Sequence, residues 1–130
     1  GTGEKISVVV PAMGADLDSI SPISGLMSSI ARQTLLPYEV VVVMSSVAKA
    51  GCDRMGALMK ETLPHQVRVV LNCSASLLLP HEARNRGVEL MSGDIVTFMD
   101  AVASLDAHMG ATEALAGSRA GCAWGKAALL

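Results

Sequence analysis

The sequence is poor in aromatic side chains. Tyr38, Phe98 and Trp124 are the whole set, 2% of 130 residues. A sugar-binding surface built from stacked rings is therefore not expected. Basic runs are also missing, and the net charge is −2. That composition excludes an electrostatic footprint for nucleic acid or for an anionic membrane surface. The three cysteines, Cys52, Cys73 and Cys122, are widely spaced and form no CxxC pair. Neither a disulfide framework nor a zinc ribbon is expected, and a reducing, cytoplasmic setting fits. No signal-peptide pattern opens the chain, and no apolar run is long enough for a transmembrane segment. The first residue is Gly1, which fits a fragment or a processed chain.

What is present is apolar residue in quantity, 51% of the chain, enough for one core-forming domain. It falls into short β-branched runs separated by helical patterns. Ile6–Val10 reads as a strand ended by Pro11. A loop over Ala12–Ile20 leads to Ser21-Pro22, a helix start with Ser21 as N-cap. Ile23, Leu26, Met27, Ile30 and Ala31 then give one apolar helix face. Glu39–Val43 is a second strand, Gly51–Leu63 a second helix and Val67–Leu71 a third strand. Pro80 opens a third helix that runs to Met91, and Asp94–Met99 is a fourth strand. Strands without in/out alternation are buried on both faces, which implies a parallel sheet covered by helices. The expected fold is α/β, a doubly wound, mainly parallel sheet with strand order 3-2-1-4. Residues 1–103 make that domain. Residues 104–130 form an Ala/Gly-rich segment, expected to give one short helix and then loose packing, with no clear strand. The sheet edge beside the fourth strand is then expected to stay open.

In such a sheet ligands bind outside the carboxyl ends of the strands, at the switch point. That places the loop Pro11–Asp16, with Pro11, Ala12 and Met13, opposite Asp100 across one crevice. Arg84 and Arg86 lie on the helix before the fourth strand and suit an anionic ligand. Arg84 has two readings, a phosphate partner or a salt bridge with Glu82 or Glu89. Gly87 reads as a point of close helix-to-sheet approach. His65 and His81 have no ligand-spaced partners and read as surface residues. A dinucleotide-binding oxidoreductase needs G-x-G-x-x-G after the first strand, and Pro11–Asp16 offers only Gly14.

Three stretches carry a resemblance to a known family. They are ISVVVP at Ile6–Pro11, ARQTLLPYEVVVV at Ala31–Val43, and ARNRGVELMSGDIVTFMDA at Ala83–Ala101. In order and spacing they resemble the nucleotide-binding half of family 2 glycosyltransferases, which have the GT-A fold. The resemblance implies a domain that binds a nucleotide-diphosphate sugar, a UDP-sugar first, and, when complete, transfers the sugar to an acceptor. It implies a divalent metal, Mn or Mg, at the diphosphate. It carries over Pro11, Ala12, Met13, Ser45, Arg84 and Asp100 as nucleotide-binding positions, with Asp100 also the candidate metal ligand. The departures bear on the same positions. Met13 stands where the family commonly has a ring. Met44-Ser45-Ser46-Val47 stands for D-D-G-S, and Val102 for the usual metal-binding acid. The alternative reading is a non-catalytic nucleotide-binding or interaction module of the same fold.

Overall fold

The structure, a computed structural model, describes residues 4–18, 22–100 and 128–129. The elements in chain order are β1 (Ile6–Met13), a 3-10 turn (Gly14–Leu17), α1 (Pro22–Ala31), β2 (Glu39–Ser45), α2 (Lys49–Thr62), β3 (Arg68–Cys73), α3 (Pro80–Leu90), β4 (Ile95–Phe98) and β5 (Ala128–Leu129). The sheet order is β3-β2-β1-β4-β5. β1 to β4 are all parallel, in the expected order, and β5 joins β4 antiparallel.

Alternate residues of the central strands feed two helical layers. Val8 and Val10 of β1 and Val40, Val42 and Met44 of β2 pack with Ile23, Leu26, Met27 and Ile30 of α1 and with Met55 and Met59 of α2. Val9, Val41 and Val43 point the other way and pack with Ala83 on α3 and Val96 on β4. Every residue of β2 is buried, which explains why its sequence shows no in/out alternation. β3 is the edge, and its residues are only partly covered.

Three expectations are corrected. Pro11 does not end β1, which continues to Met13. Met99 N–H donates to Val9 C=O, so this register of β1 faces β4. Pro11, two residues on, faces the same side, beyond the last β1–β4 pair, Val9 with Phe98. Its missing N–H therefore costs no ladder bond. Second, Cys52 and Cys73 form a disulfide, with Cα atoms 6.2 Å apart. Their 21-residue separation hid the pairing, because only the packing of α2 on β3 brings them together. Third, the edge beside β4 is not open along its length, since Ile95 and Val96 pair with Leu129 and Ala128. The Ser21 cap, Val102 and the remaining residues of the tail lie outside the described residues.

At the amino ends of the strands sits Glu39, fully buried. Its carboxylate accepts the Ser7 hydroxyl at 2.6 Å, the Ser92 hydroxyl at 3.1 Å, and the Ser92 and Gly93 backbone N–H groups. Arg68 Nε reaches it at 3.3 Å from β3. A buried carboxylate is tolerated only when its charge and lone pairs are satisfied in this way. Above the middle of the sheet, α3 lies on β1 so closely that a Cβ at Gly87 would overlap Val9.

Two outcomes follow for stability. Glu39→Ala should cost about 3–5 kcal/mol in urea unfolding, because it strands the Ser7 hydroxyl and Ser92 N–H donors beside Arg68. Gly87→Ala should cost about 1–3 kcal/mol by forcing α3 off Val9. A Gly87→Ala protein as stable as the parent would show that α3 shifts freely over the sheet.

Candidate functional site

The carboxyl ends of β1, β2 and β4 open into a crevice of about 600 Å3. Ligand sites of small molecules fall in this size range. The floor comes from the strand ends: Pro11, Ala12 and Met13 from β1, Ser45 from β2, and Phe98, Met99 and Asp100 at and after the end of β4. One side wall is the start of α3, with Leu78, Pro80, Ala83 and Arg84. Asp16 of the 3-10 turn also reaches the crevice.

Each wall has a local cause. The β1 end turns sharply because Asp16 accepts the Met13 N–H at 2.7 Å, closing the chain on itself. Gly14 then passes so close to the Ser46 carbonyl that a side chain there would collide. Ser46 itself has φ of 50°, the left-handed region. Few non-glycine residues adopt it, and it occurs at turns and functional sites. The resemblance drawn from the sequence has glycine at this position, the residue that adopts such a backbone most readily. Ser46 N–H bonds to Ser76 C=O at 3.0 Å and Val47 N–H to Ser74 C=O at 3.1 Å, holding the turn against the chain that follows β3.

α3 starts at Pro80, a favourable first helical residue. Glu82 reaches back to accept the Leu79 N–H at 2.8 Å. Glu82 is thereby occupied, and among the described residues no ion pair joins Arg84 to Glu82 or Glu89. Arg84 instead stands exposed at the crevice one turn into the helix. Arg86 is turned elsewhere and donates to Asn72 Oδ1 at 3.3 Å.

The structure thus gathers Pro11, Ala12, Met13, Ser45, Arg84 and Asp100 around one opening. Asp100 is exposed there, whereas Ser45 is buried to 3% exposure. Met44 is fully buried and faces the core, so it offers nothing to a ligand. Met13 is 42% exposed at the mouth. Leu78, Pro80 and Ala83 were not singled out from the sequence. Only the α3-to-sheet packing places them, and their composition carries no signal. His65 and His81 are exposed, as expected.

Among the described residues no group of three or more His, Cys, Asp or Glu is placed to hold a metal ion. One oxygen of Asp16 is already taken by Met13 N–H. Among the described residues, protein ligands alone therefore make no metal cage, and Asp100 offers one carboxylate. Among the described residues no helix is long and apolar enough to cross a membrane.

Several solved structures share this arrangement. The mannosyltransferase PcManGT from Pyrobaculum calidifontis, in complex with GDP-Man and Mn2+, superposes with a TM-score of 0.63 at 22% identity, over 78% of this chain and 28% of that one. TarS from S. aureus (residues 1–349) gives 0.57 at 23% identity, over 88% and 33%. Glucosyl-3-phosphoglycerate synthase from Mycobacterium tuberculosis, in complex with Mn2+, UDP and glucosyl-3-phosphoglycerate, gives 0.51 at 29% identity, over 76% and 34%. The chain thus spans about a third of the length of these structures. Curated proteins gave no significant match. The profile of glycosyl transferase family 2 matches residues 7–101, from the start of β1 to just past Asp100. With the parallel 3-2-1-4 sheet and the crevice at its switch point, that match over most of the sequence settles the assignment: the chain belongs to glycosyl transferase family 2.

Proposed function

We propose that the crevice binds a nucleotide-diphosphate sugar, a UDP-sugar first, and that residues 1–103 are the donor-binding unit of a sugar-transfer reaction. The observation that carries this reading is Arg84. It stands at a switch-point crevice with its nearby carboxylate, Glu82, engaged by Leu79 N–H. A guanidinium so placed can make paired hydrogen bonds to phosphate oxygens. The amino end of α3 beside it adds partial positive charge. The complexes of the similar structures with GDP-Man and with UDP support the same class of ligand.

The roles divide along the crevice. Arg84 takes the diphosphate. Ser45, at the end of β2, offers a hydroxyl to ribose or base. Pro11 and Ala12 form the floor, and Met13 supplies an apolar surface in place of a ring. Asp100 is placed for ribose or for a divalent ion carried in by the diphosphate. Mg2+ is commonly held by one or two carboxylates together with phosphates and water, so one acid can serve when substrate completes the shell. When bound, such an ion would offset charge on the departing diphosphate.

A second reading, a nucleotide-binding or interaction module without catalysis, is favoured by a specific observation. The two positions where the family pattern places acids at the end of β2 hold Met44, buried in the core, and Ser45. A cytoplasmic location also belongs to the proposal. In a reducing compartment the Cys52–Cys73 bond would be transient rather than structural.

Titration calorimetry tests the binding claim. UDP should bind with a Kd of about 0.1–1 mM, roughly 4–5.5 kcal/mol, and manganese should change that less than about threefold. A manganese-dependent gain of about a hundredfold, close to 2.7 kcal/mol, would contradict the single-carboxylate reading. Arg84→Ala should weaken UDP roughly five- to tenfold, about 1–1.4 kcal/mol, and leave uridine binding unchanged. Equal loss for UDP and uridine would remove the diphosphate role from Arg84.

A further inference from the structure

The Cys52–Cys73 disulfide stands next to the crevice wall, and its position gives it a job beyond closing a loop. Cys73 is the last residue of β3, in register with Met44 on β2. The next residue, Ser74, donates its N–H to Met44 C=O at 2.8 Å and accepts Val47 N–H at 3.1 Å. Two residues on, Ser76 accepts Ser46 N–H at 3.0 Å. The turn after β2, which carries Ser45 at the crevice and Ser46 in its left-handed conformation, is therefore held by the segment directly after Cys73. Cys52 lies in the first turns of α2, the helix that the same turn leads into. Its N–H donates to Ala48 C=O at 3.0 Å, one residue past Val47. The bond thus joins the two flanks of the turn covalently.

We infer that Cys52–Cys73 is a redox-operated staple that orders the Ser45–Val47 wall of the crevice, so that the disulfide form presents a formed site and the dithiol form a loosened one. The inference that ligand affinity follows rests on the nucleotide reading above; the ordering of the wall does not. Three physical points support it. The turn contains a strained, non-glycine left-handed residue, which needs surrounding constraints to persist. Val47 is anchored in the core, whereas Ser46 is held by a backbone hydrogen bond to Ser76, which is exposed beyond the exit of the edge strand. Both cysteines are only partly buried, with Cys73 packed against the core, so the bond lies at its margin rather than sealed within it.

The chemistry balances with a dithiol reductant. One of its thiolates attacks Sγ of Cys73, the Cys52–Cys73 bond breaks, and Cys52 leaves as a thiolate at the amino end of α2, where partial positive charge favours it. The second thiol of the reductant then attacks the mixed disulfide and releases Cys73. Two electrons and two protons pass to the protein, and the reductant ends as its own disulfide. Reversal needs an oxidant of the glutathione-disulfide class.

Alkylation of the full chain under denaturing conditions is the first test. After oxidation with glutathione disulfide one of the three cysteines should react, and after dithiothreitol all three. Three reactive thiols after oxidation would overturn the staple. NMR order parameters without ligand are the second. In the oxidised protein Ser46 and Ser74 should lie near 0.85, and in the reduced protein below about 0.6, while Val41 stays near 0.85 in both. Unchanged order at the turn, or loss of order at Val41 as well, would overturn the inference. The Cys52→Ser/Cys73→Ser protein should match the reduced form and ignore dithiothreitol; a response to dithiothreitol would also overturn it. UDP should bind the oxidised form roughly fivefold more tightly. Absence of UDP binding in both forms would refute the nucleotide reading, while the order parameters still decide the staple.

Discussion

The buried carboxylate of Glu39 is the constraint on which the arrangement of strands depends. It lies at the amino end of β2, in the middle of the sheet, and bonds to β1 through Ser7, to β3 through Arg68, and to the turn before β4 through Ser92 and Gly93. Its partners lie 32, 53 and 54 residues away along the chain for Ser7, Ser92 and Gly93. No local propensity could assemble them. An apolar residue at Glu39 would leave the Ser7 hydroxyl and the Ser92 N–H without this acceptor, and the Gly93 N–H with Ser7 Oγ alone. Those four segments are set in register by one side chain. The register then carries through the parallel ladders to the opposite ends of the strands.

The two ends of the sheet are consequently built on different rules. At the amino ends polar groups are matched and buried. At the carboxyl ends the strands stop at different heights, because β1 and β2 run on together to Met13 and Ser45 while the β1–β4 pairing ends at Val9 and Phe98. That stagger opens the crevice. Pro11 suits it, since the side on which it lacks a donor is the side where β4 has already ended. Gly14 and Ser46 fit together only because one has no side chain and the other accepts a left-handed backbone. Small residues and one strained residue thus fix the shape of the opening, while charge enters from Asp16, Arg84 and Asp100.

How much of this could be read from the residues follows from range. Strand order and layer structure were legible because unbroken β-branched runs in an alternating β/α chain admit few arrangements. The crevice residues were legible because a parallel sheet puts its strand ends together whatever the side chains are. Gly87 was legible as a close approach, and Val9 as its neighbour was not. Glu39 read as no more than the first residue of a strand, since nothing nearby in sequence signals a buried carboxylate. Cys52 and Cys73 read as unrelated thiols for the same reason. Pro11 was misread because its effect depends on which neighbour strand its missing N–H faces, and that is a property of the sheet, not of the segment.

The weight of the site has shifted relative to the family pattern. The resemblance implies acids at the end of β2. Here Met44 is turned into the core, Ser45 is neutral, and the acids that line the opening with Arg84 are Asp100 and Asp16, the latter holding the Met13 N–H. Losing carboxylates removes repulsion toward a diphosphate as well as ligands for a metal, and each like charge near an anion disfavours it. A guanidinium facing fewer acids holds phosphate more strongly by itself and needs a divalent ion less. On the proposed reading, binding and metal dependence therefore separate: a guanidinium at an opening with few acids would keep its hold on phosphate where metal-assisted transfer is weakened, so recognition of a donor would outlast the chemistry that follows it.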